Sequence, residues 1–523
     1  MTAIAAAGTD SRASADLGEF GYQQQLHRSI GTYASFAAGF SFVSILTTIF
    51  QLFGFGYSFA GPVFFWTWPA VFLGQLTVAL CFAELAARYP ISGAIYQWSR
   101  RLGGHVVGWF AGWTMILAQI VTVAAAAIAL QAVLPAIWSG FQLVGGDPGI
   151  TTRTGATNAV ILGVIVLTVT TVINAAAVRV MAVVNSVGVT CEIVGVVLLC
   201  VALFSSAKRG PGIVLNTAGL SGGLFSSLLV ASLMAAYVMV GFDSAGELSE
   251  ETHHPRRTAP RTIVRALTVS AAGGTLLLIG ALMAAPEAND PNISSQGLAY
   301  VVTSRLGDTL GRVFLADVVL AAFVCTLAIQ TATTRMIFSM SRDEVLPFSK
   351  KLGKVSRNGA TAVAAVVVGV LAVALLLVNV GHAGVFTALT SVCIVLLYLA
   401  YLMVTVPLLV RRLTGGWSSA RSGTDEDGRA LFSLGRWGLP VNLIAVAFGI
   451  AMMVNLAWPR AEVYDPAGES PVLQYFAVLF VVLALGGGAL VFTAKKRAYR
   501  AAIGVGSTGR PANPAESVAE VSA

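Results

Sequence analysis

Apolar stretches follow one another along the chain, and short polar segments separate them. A membrane-spanning helix needs about 20 mostly apolar residues. Stretches near that length fall at 33–57, 62–87, 105–136, 157–178, 181–205, 223–246, 263–286, 311–340, 359–380, 383–410, 440–458 and 472–494. Pro62, Pro90, Pro135, Pro286, Pro407 and Pro440 lie near their ends, where proline punctuates helices. The pattern predicts an all-α polytopic membrane protein with twelve transmembrane helices.

Polar positions inside the apolar stretches are few, so each one matters. The first stretch carries Ser41, Ser44, Thr47 and Thr48, hydroxyls at near-helical spacing on one face. The fifth carries Glu192. The sixth carries Gly241-Phe242-Asp243-Ser244, followed by Gly246 and Glu247. A carboxylate at membrane depth costs a few kcal/mol or more unless it is paired, neutralised or hydrated. Glycine lets the backbone leave the helix, and such breaks occur at membrane depth only where they face protein or a water-filled cavity. The first and sixth stretches are therefore expected to be broken, near Ser41–Thr48 and Gly241–Ser244. They lie five helices apart, as a five-plus-five inverted repeat requires.

Composition agrees with a membrane protein. The 523 residues are 56% hydrophobic and 11% charged, against about 25% charged in a soluble domain; the mean hydropathy is +0.80. The net charge of +8 does not point to nucleic acid, because the basic residues sit in short clusters between apolar runs. With the N-terminus inside, only Arg153, Lys208, Arg209, Arg305, Arg312 and Arg460 of the 32 lysines and arginines fall outside. That asymmetry puts both termini in the cytoplasm.

The first ~30 residues and the end from about 501 read as disordered cytoplasmic tails. Residues 287–310 read as the longest outer loop, and 411–438 as a polar inner one. No loop is long enough for a soluble catalytic domain. Cys81, Cys191, Cys200, Cys325 and Cys393 form no metal-type or redox-type pair and read as small buried hydrophobes. No pattern calls for a metal or cofactor.

Three motifs occur in order. Gly241-Phe242-Asp243-Ser244-Ala245-Gly246-Glu247-Leu248-Ser249-Glu250-Glu251-Thr252 runs into the Pro255–Pro260 turn. Glu84-Leu85-Ala86-Ala87-Arg88-Tyr89-Pro90-Ile91-Ser92-Gly93 follows the second span, and Ser339-Met340-Ser341-Arg342-Asp343-Glu344-Val345-Leu346-Pro347 the eighth. Together they resemble the amino acid–polyamine–organocation superfamily, closest to its amino acid/choline permease branch, which includes GABA and choline permeases. The resemblance covers about 33–410. It implies the sodium-symporter-like fold, with repeats at about 33–205 and 223–410 and two extra helices at 439–494. It also implies a secondary active transporter importing an amino acid or related amino-containing solute such as GABA, or else a choline or polyamine transporter or a non-transporting solute sensor, with the membrane lipid around it and H+ as the expected coupling ion.

The expected substrate site gathers Ser44, Thr47, Thr48, Tyr237, Gly241, Phe242 and Asp243. Freed N–H groups and hydroxyls of the first break suit a carboxylate. Many relatives have a Gly-Ser-Gly-like break there; here Leu46-Thr47-Thr48 precedes Ile49-Phe50. Asp243 reads either as a partner for the substrate's ammonium or as a solvated cap of the broken helix. Phe242 and Tyr237 read as gates or as core aromatics. Glu192 falls where many proton-coupled relatives carry lysine, and reads as a proton carrier or as a structural carboxyl. Arg335, Arg342, Asp343 and Glu344 are expected to be solvated or lipid-facing, Glu84 to hold the loop after the second span, and Trp66, Trp68, Trp109 and Trp113 to form aromatic belts.

Overall fold

The computed structural model describes residues 17–149, 152–378, 380, 383–417, 423–425, 428–464 and 471–502. The expected tails at 1–16 and 503–523, and part of the 411–438 loop, lie outside these residues. The chain is a bundle of helices: α1 Thr32–Val43, α2 Ile45–Ala60, α3 Thr67–Arg88, α4 Ala94–Gly103, α5 His105–Ile128, α6 Arg153–Ala176, α7 Val178–Ser205, α8 Leu224–Val238, α9 Ser244–Glu247, α10 Pro255–Ala284, α11 Pro291–Arg342, α12 Ala362–Val378, α13 Ala383–Leu413, α14 Gly438–Ala457 and α15 Phe476–Ala502. Taking α1 with α2 and α8 with α9 as single broken rods, and α4 as a connector, gives twelve rods in the expected order.

The outward faces of α6 and α7 carry Ile165, Val169, Val172, Val183, Val187 and Val194, all exposed. Apolar side chains facing out of a helical bundle suit contact with lipid hydrocarbon, where a helix satisfies its own backbone groups. The inner faces pack α11 against α2, α7 and α5, and α13 against α5 and α14.

The structure corrects several expectations. Residues 287–310 are largely helical: Asp290 accepts a hydrogen bond from the Asn292 N–H at 2.9 Å and Pro291 opens α11, a cap and first-turn proline that the reading as a loop overlooked. Kinks at Gly297 (φ 64°) and Gly307 (φ 74°) then redirect the chain. The seventh rod begins at Pro255 instead of 263. The connector after the second span contains α4, entered through Gly93 at φ 80°.

Trp68 and Trp109 are buried instead of lying in a belt. Trp68 donates to the Ala271 carbonyl at 3.0 Å and lies against Gly274, while Trp109 and Trp113 donate to Gly488 and Ala484 of α15 at 3.3 and 2.8 Å. Each indole is held by a helix whose small residue admits the ring. Four cysteines are buried, but Cys191 is exposed on α7.

Candidate functional site between two broken helices

The first rod breaks at Ser44, whose φ of 34° and ψ of 84° are left-handed. A non-glycine residue held there costs about 1–3 kcal/mol unless its surroundings impose it. Here they do. The Ser44 N–H donates to Phe40 O at 2.8 Å, and its hydroxyl donates to Glu192 Oε1 at 3.0 Å. That hydroxyl has one hydrogen, so at 2.7 Å the Thr47 hydroxyl is the donor to Ser44 Oγ. The Leu46 N–H, in the first turn of α2, donates to the same Glu192 oxygen at 3.3 Å. Thr48 Oγ1 closes the turn by donating to Ser44 O at 2.8 Å. A serine with polar neighbours thus does what glycine does elsewhere.

The sixth rod stops at Val238 and resumes as the single turn α9. Gly241 has φ 88°, and a Cβ on it would stand 1.7 Å from the Phe42 ring of α1. This is a close approach of the two broken rods that only glycine permits. The Gly241 N–H donates to Tyr401 Oη at 3.0 Å, and the Tyr401 hydroxyl donates to Asp243 Oδ1. Phe242 packs against both Phe82 and Tyr401, with ring centroids 6.0 and 5.6 Å away.

A small cavity lies between the two breaks. Phe42, Thr47, Thr48, Gln51, Tyr237 and Cys325 are among its lining residues, along with Thr122 of α5. The structure therefore brings Thr47, Thr48 and Tyr237 together, with Ser44 one hydrogen bond behind Thr47 and Glu192 one further behind Ser44. Gly241, Phe242 and Asp243 do not line it: they are buried against α3 and α13. Gln51 and Thr122 were overlooked, although polar residues in apolar helices were a usable signal. Phe42, Cys325 and Tyr401 carried none, because each is ordinary in a hydrophobic helix.

A polar network closes the end of the bundle that carries the basic loops. Arg335 holds Glu251 through two bonds, at 2.6 and 3.2 Å, and donates to Thr334 and Thr361 at 2.9 and 3.0 Å. Arg342 holds Glu250 through two bonds of 2.9 Å, and the Ser92 N–H donates to Glu250 at 3.0 Å. Asp343 pairs with Arg100 and accepts from Tyr96 at 2.8 Å and Tyr22 at 2.9 Å. Burial and the Asp343 charge push the Tyr22 and Tyr96 hydroxyls up, so both remain donors.

Arg335, Arg342 and Asp343 are thus not solvated or lipid-facing as expected; Glu251 and Glu250 compensate the two arginines, and Arg100 compensates Asp343. Glu344 alone of the four is exposed. Glu84 pairs with Arg412 of α13 and accepts from Ser433 at 3.1 Å, tying the second rod to the tenth and the segment after it.

Residues 21–491 match the family model described as amino acid permease. The chain is 26% identical to the amino-acid permease BAT1 of Arabidopsis thaliana, over 85% of this chain and 88% of the relative. It is 26% identical to the BAT1 homolog of Oryza sativa subsp. japonica, over 87% and 89%. It is 29% identical to the branched-chain amino acid permease BcaP of Lactococcus lactis, over 62% and 72%. With the family model spanning most of the chain and the two broken rods facing one cavity, this multi-pass membrane protein belongs to the amino acid permease family of the amino acid–polyamine–organocation superfamily.

Proposed function

We propose that this permease is a secondary active transporter that imports an amino acid or a related amino-containing solute, such as GABA, across the plasma membrane. It works by alternating access, with both termini in the cytoplasm and H+ as the coupling ion. The observation that carries this reading is the cavity between Ser44 and Gly241, where Thr47, Thr48 and Tyr237 meet. The hydroxyls and freed backbone of the first break offer hydrogen bonds to a substrate's polar head, and Tyr237 offers an aromatic face to its ammonium.

In this scheme residues 33–410 form the transport core and 439–494 flank it. The Arg335–Glu251, Arg342–Glu250 and Asp343 contacts hold the cytoplasmic side shut. Opening to that side means separating α9 and its following turn from α11. Glu192, buried beside the first break, is the coupling residue: a carboxyl that gains and loses a proton there changes what holds the break.

Counterflow in proteoliposomes tests the reading. Vesicles loaded with GABA, leucine or choline should accumulate the matching radiolabelled solute from outside, because a carrier exchanges trapped for external substrate. Binding without exchange would make the protein a membrane solute sensor, and exchange of choline alone would move it to the choline permeases.

A further inference from the structure

The first break already holds a carboxylate, and that carboxylate belongs to the protein. Glu192 Oε1 takes the Leu46 N–H at 3.3 Å and the Ser44 hydroxyl at 3.0 Å. These donors stand at the N-terminus of the 16-residue α2, the end of a helix that attracts an anion. The side chain is 1% exposed, and its other oxygen, Oε2, has no hydrogen-bond partner among the described residues. Carboxylate oxygens accept about two bonds each, so the group is under-satisfied where it lies. Through Ser44 and Thr47 it is two hydrogen bonds from the cavity.

We propose that Glu192 occupies the place at the N-terminus of α2 that a substrate's carboxylate would take, so that the charge at position 192 sets the site's preference between an amino acid and its decarboxylated amine. This rests on the cavity being the substrate site. Two like charges at one helix end, away from water, oppose each other strongly. A zwitterionic amino acid must therefore displace the Glu192 carboxylate or wait for its neutralisation. An amine without a carboxylate has no such competitor, and gains the attraction of a nearby negative charge.

The neighbouring groups reinforce this sign. Asp317 of α11 lies against Gly195, one turn along α7 from Glu192, and adds a second carboxylate. The residues lining the cavity among the described residues include no lysine or arginine. Cys325 on α11 and the hydroxyls of Ser44, Thr47 and Thr48 complete the surroundings as neutral groups.

The test is binding to the purified full-length protein, read as ligand-dependent thermal stabilisation. The probes are two matched pairs: leucine with isopentylamine, and GABA with propylamine. In Glu192→Gln the amino acids should bind more tightly and the amines more weakly, changing the ratio of dissociation constants tenfold or more. Glu192→Asp keeps the charge and should keep the amine-favouring direction of the wild-type ratio, which separates charge from damage to the fold. An unchanged ratio in Glu192→Gln, or equal losses for both members of each pair, would overturn the proposal. Binding with this reversal but without counterflow would leave it standing and overturn the transporter reading instead.

Discussion

Tyr401 joins the two sides of the sixth-rod break: its hydroxyl accepts from the Gly241 N–H at 3.0 Å and donates to the Asp243 carboxylate. One side chain from α13 therefore satisfies a freed backbone donor and one oxygen of a buried acid together. Tyr401→Phe keeps the ring contacts to Phe82 and Phe242 and removes only the oxygen. Leaving a buried polar group without its partner costs about 1–3 kcal/mol, and two groups are affected here. Thermal unfolding of the purified variant should show a clear fall in the transition temperature. A transition at the wild-type temperature would show that water replaces the hydroxyl.

Gly241→Ala tests whether the break needs glycine. The residue has φ 88°, and an added Cβ would meet the Phe42 ring at 1.7 Å. Left-handed strain alone costs about 1–3 kcal/mol, and the clash adds to it. The variant should unfold earlier and lose transport. Gly486→Ala, whose Cβ would meet nothing within 4 Å, should behave as wild type in both assays.

Arg335→Ala leaves Glu251 buried without its cation. Breaking a buried pair from one side costs about 3–5 kcal/mol, and under the proposed alternating-access scheme the loss falls on the state closed to the cytoplasm. Cys325 lines the cavity and provides a reporter. In a protein retaining only this cysteine, Arg335→Ala should speed its labelling by an impermeant thiol reagent applied from the cytoplasmic side. Labelling at the wild-type rate would mean that the network does not gate the site.

Ser44→Ala and Thr47→Val remove hydroxyls from the first break. Each should weaken amino acid binding by about 0.5–1.5 kcal/mol for each hydrogen bond lost. Their bond to each other makes the two effects non-additive, so the double variant should lose less than the two losses combined. Isothermal titration of the three variants measures this directly.

Glu192→Gln fixes residue 192 in a neutral form of nearly the same shape. Uphill uptake driven by a pH gradient should disappear, while counterflow of substrate down its own gradient continues. Accumulation at the wild-type level in a pH-jump uptake assay would leave Glu192 a structural residue of the first break.

Much of the architecture was decided along the chain. Apolar stretches of spanning length set the helices, Gly241 beside Asp243 marked the sixth break, and clustered hydroxyls at Ser41–Thr48 marked the first. These are local properties: backbone groups must be satisfied within the helix, and a glycine or a buried carboxylate inside an apolar run has few explanations. What the sequence could not assign was partnership. Nothing near Arg335 or Arg342 in the chain names Glu251 or Glu250, so both arginines read as solvated until folding buried them beside carboxylates 84 and 92 residues away. Nothing near Glu192 names Ser44 and Leu46, 148 and 146 residues away. A charge in an apolar helix announces that a partner must exist; which residue it is depends on the helix that packs against it, and only the tertiary structure decides that.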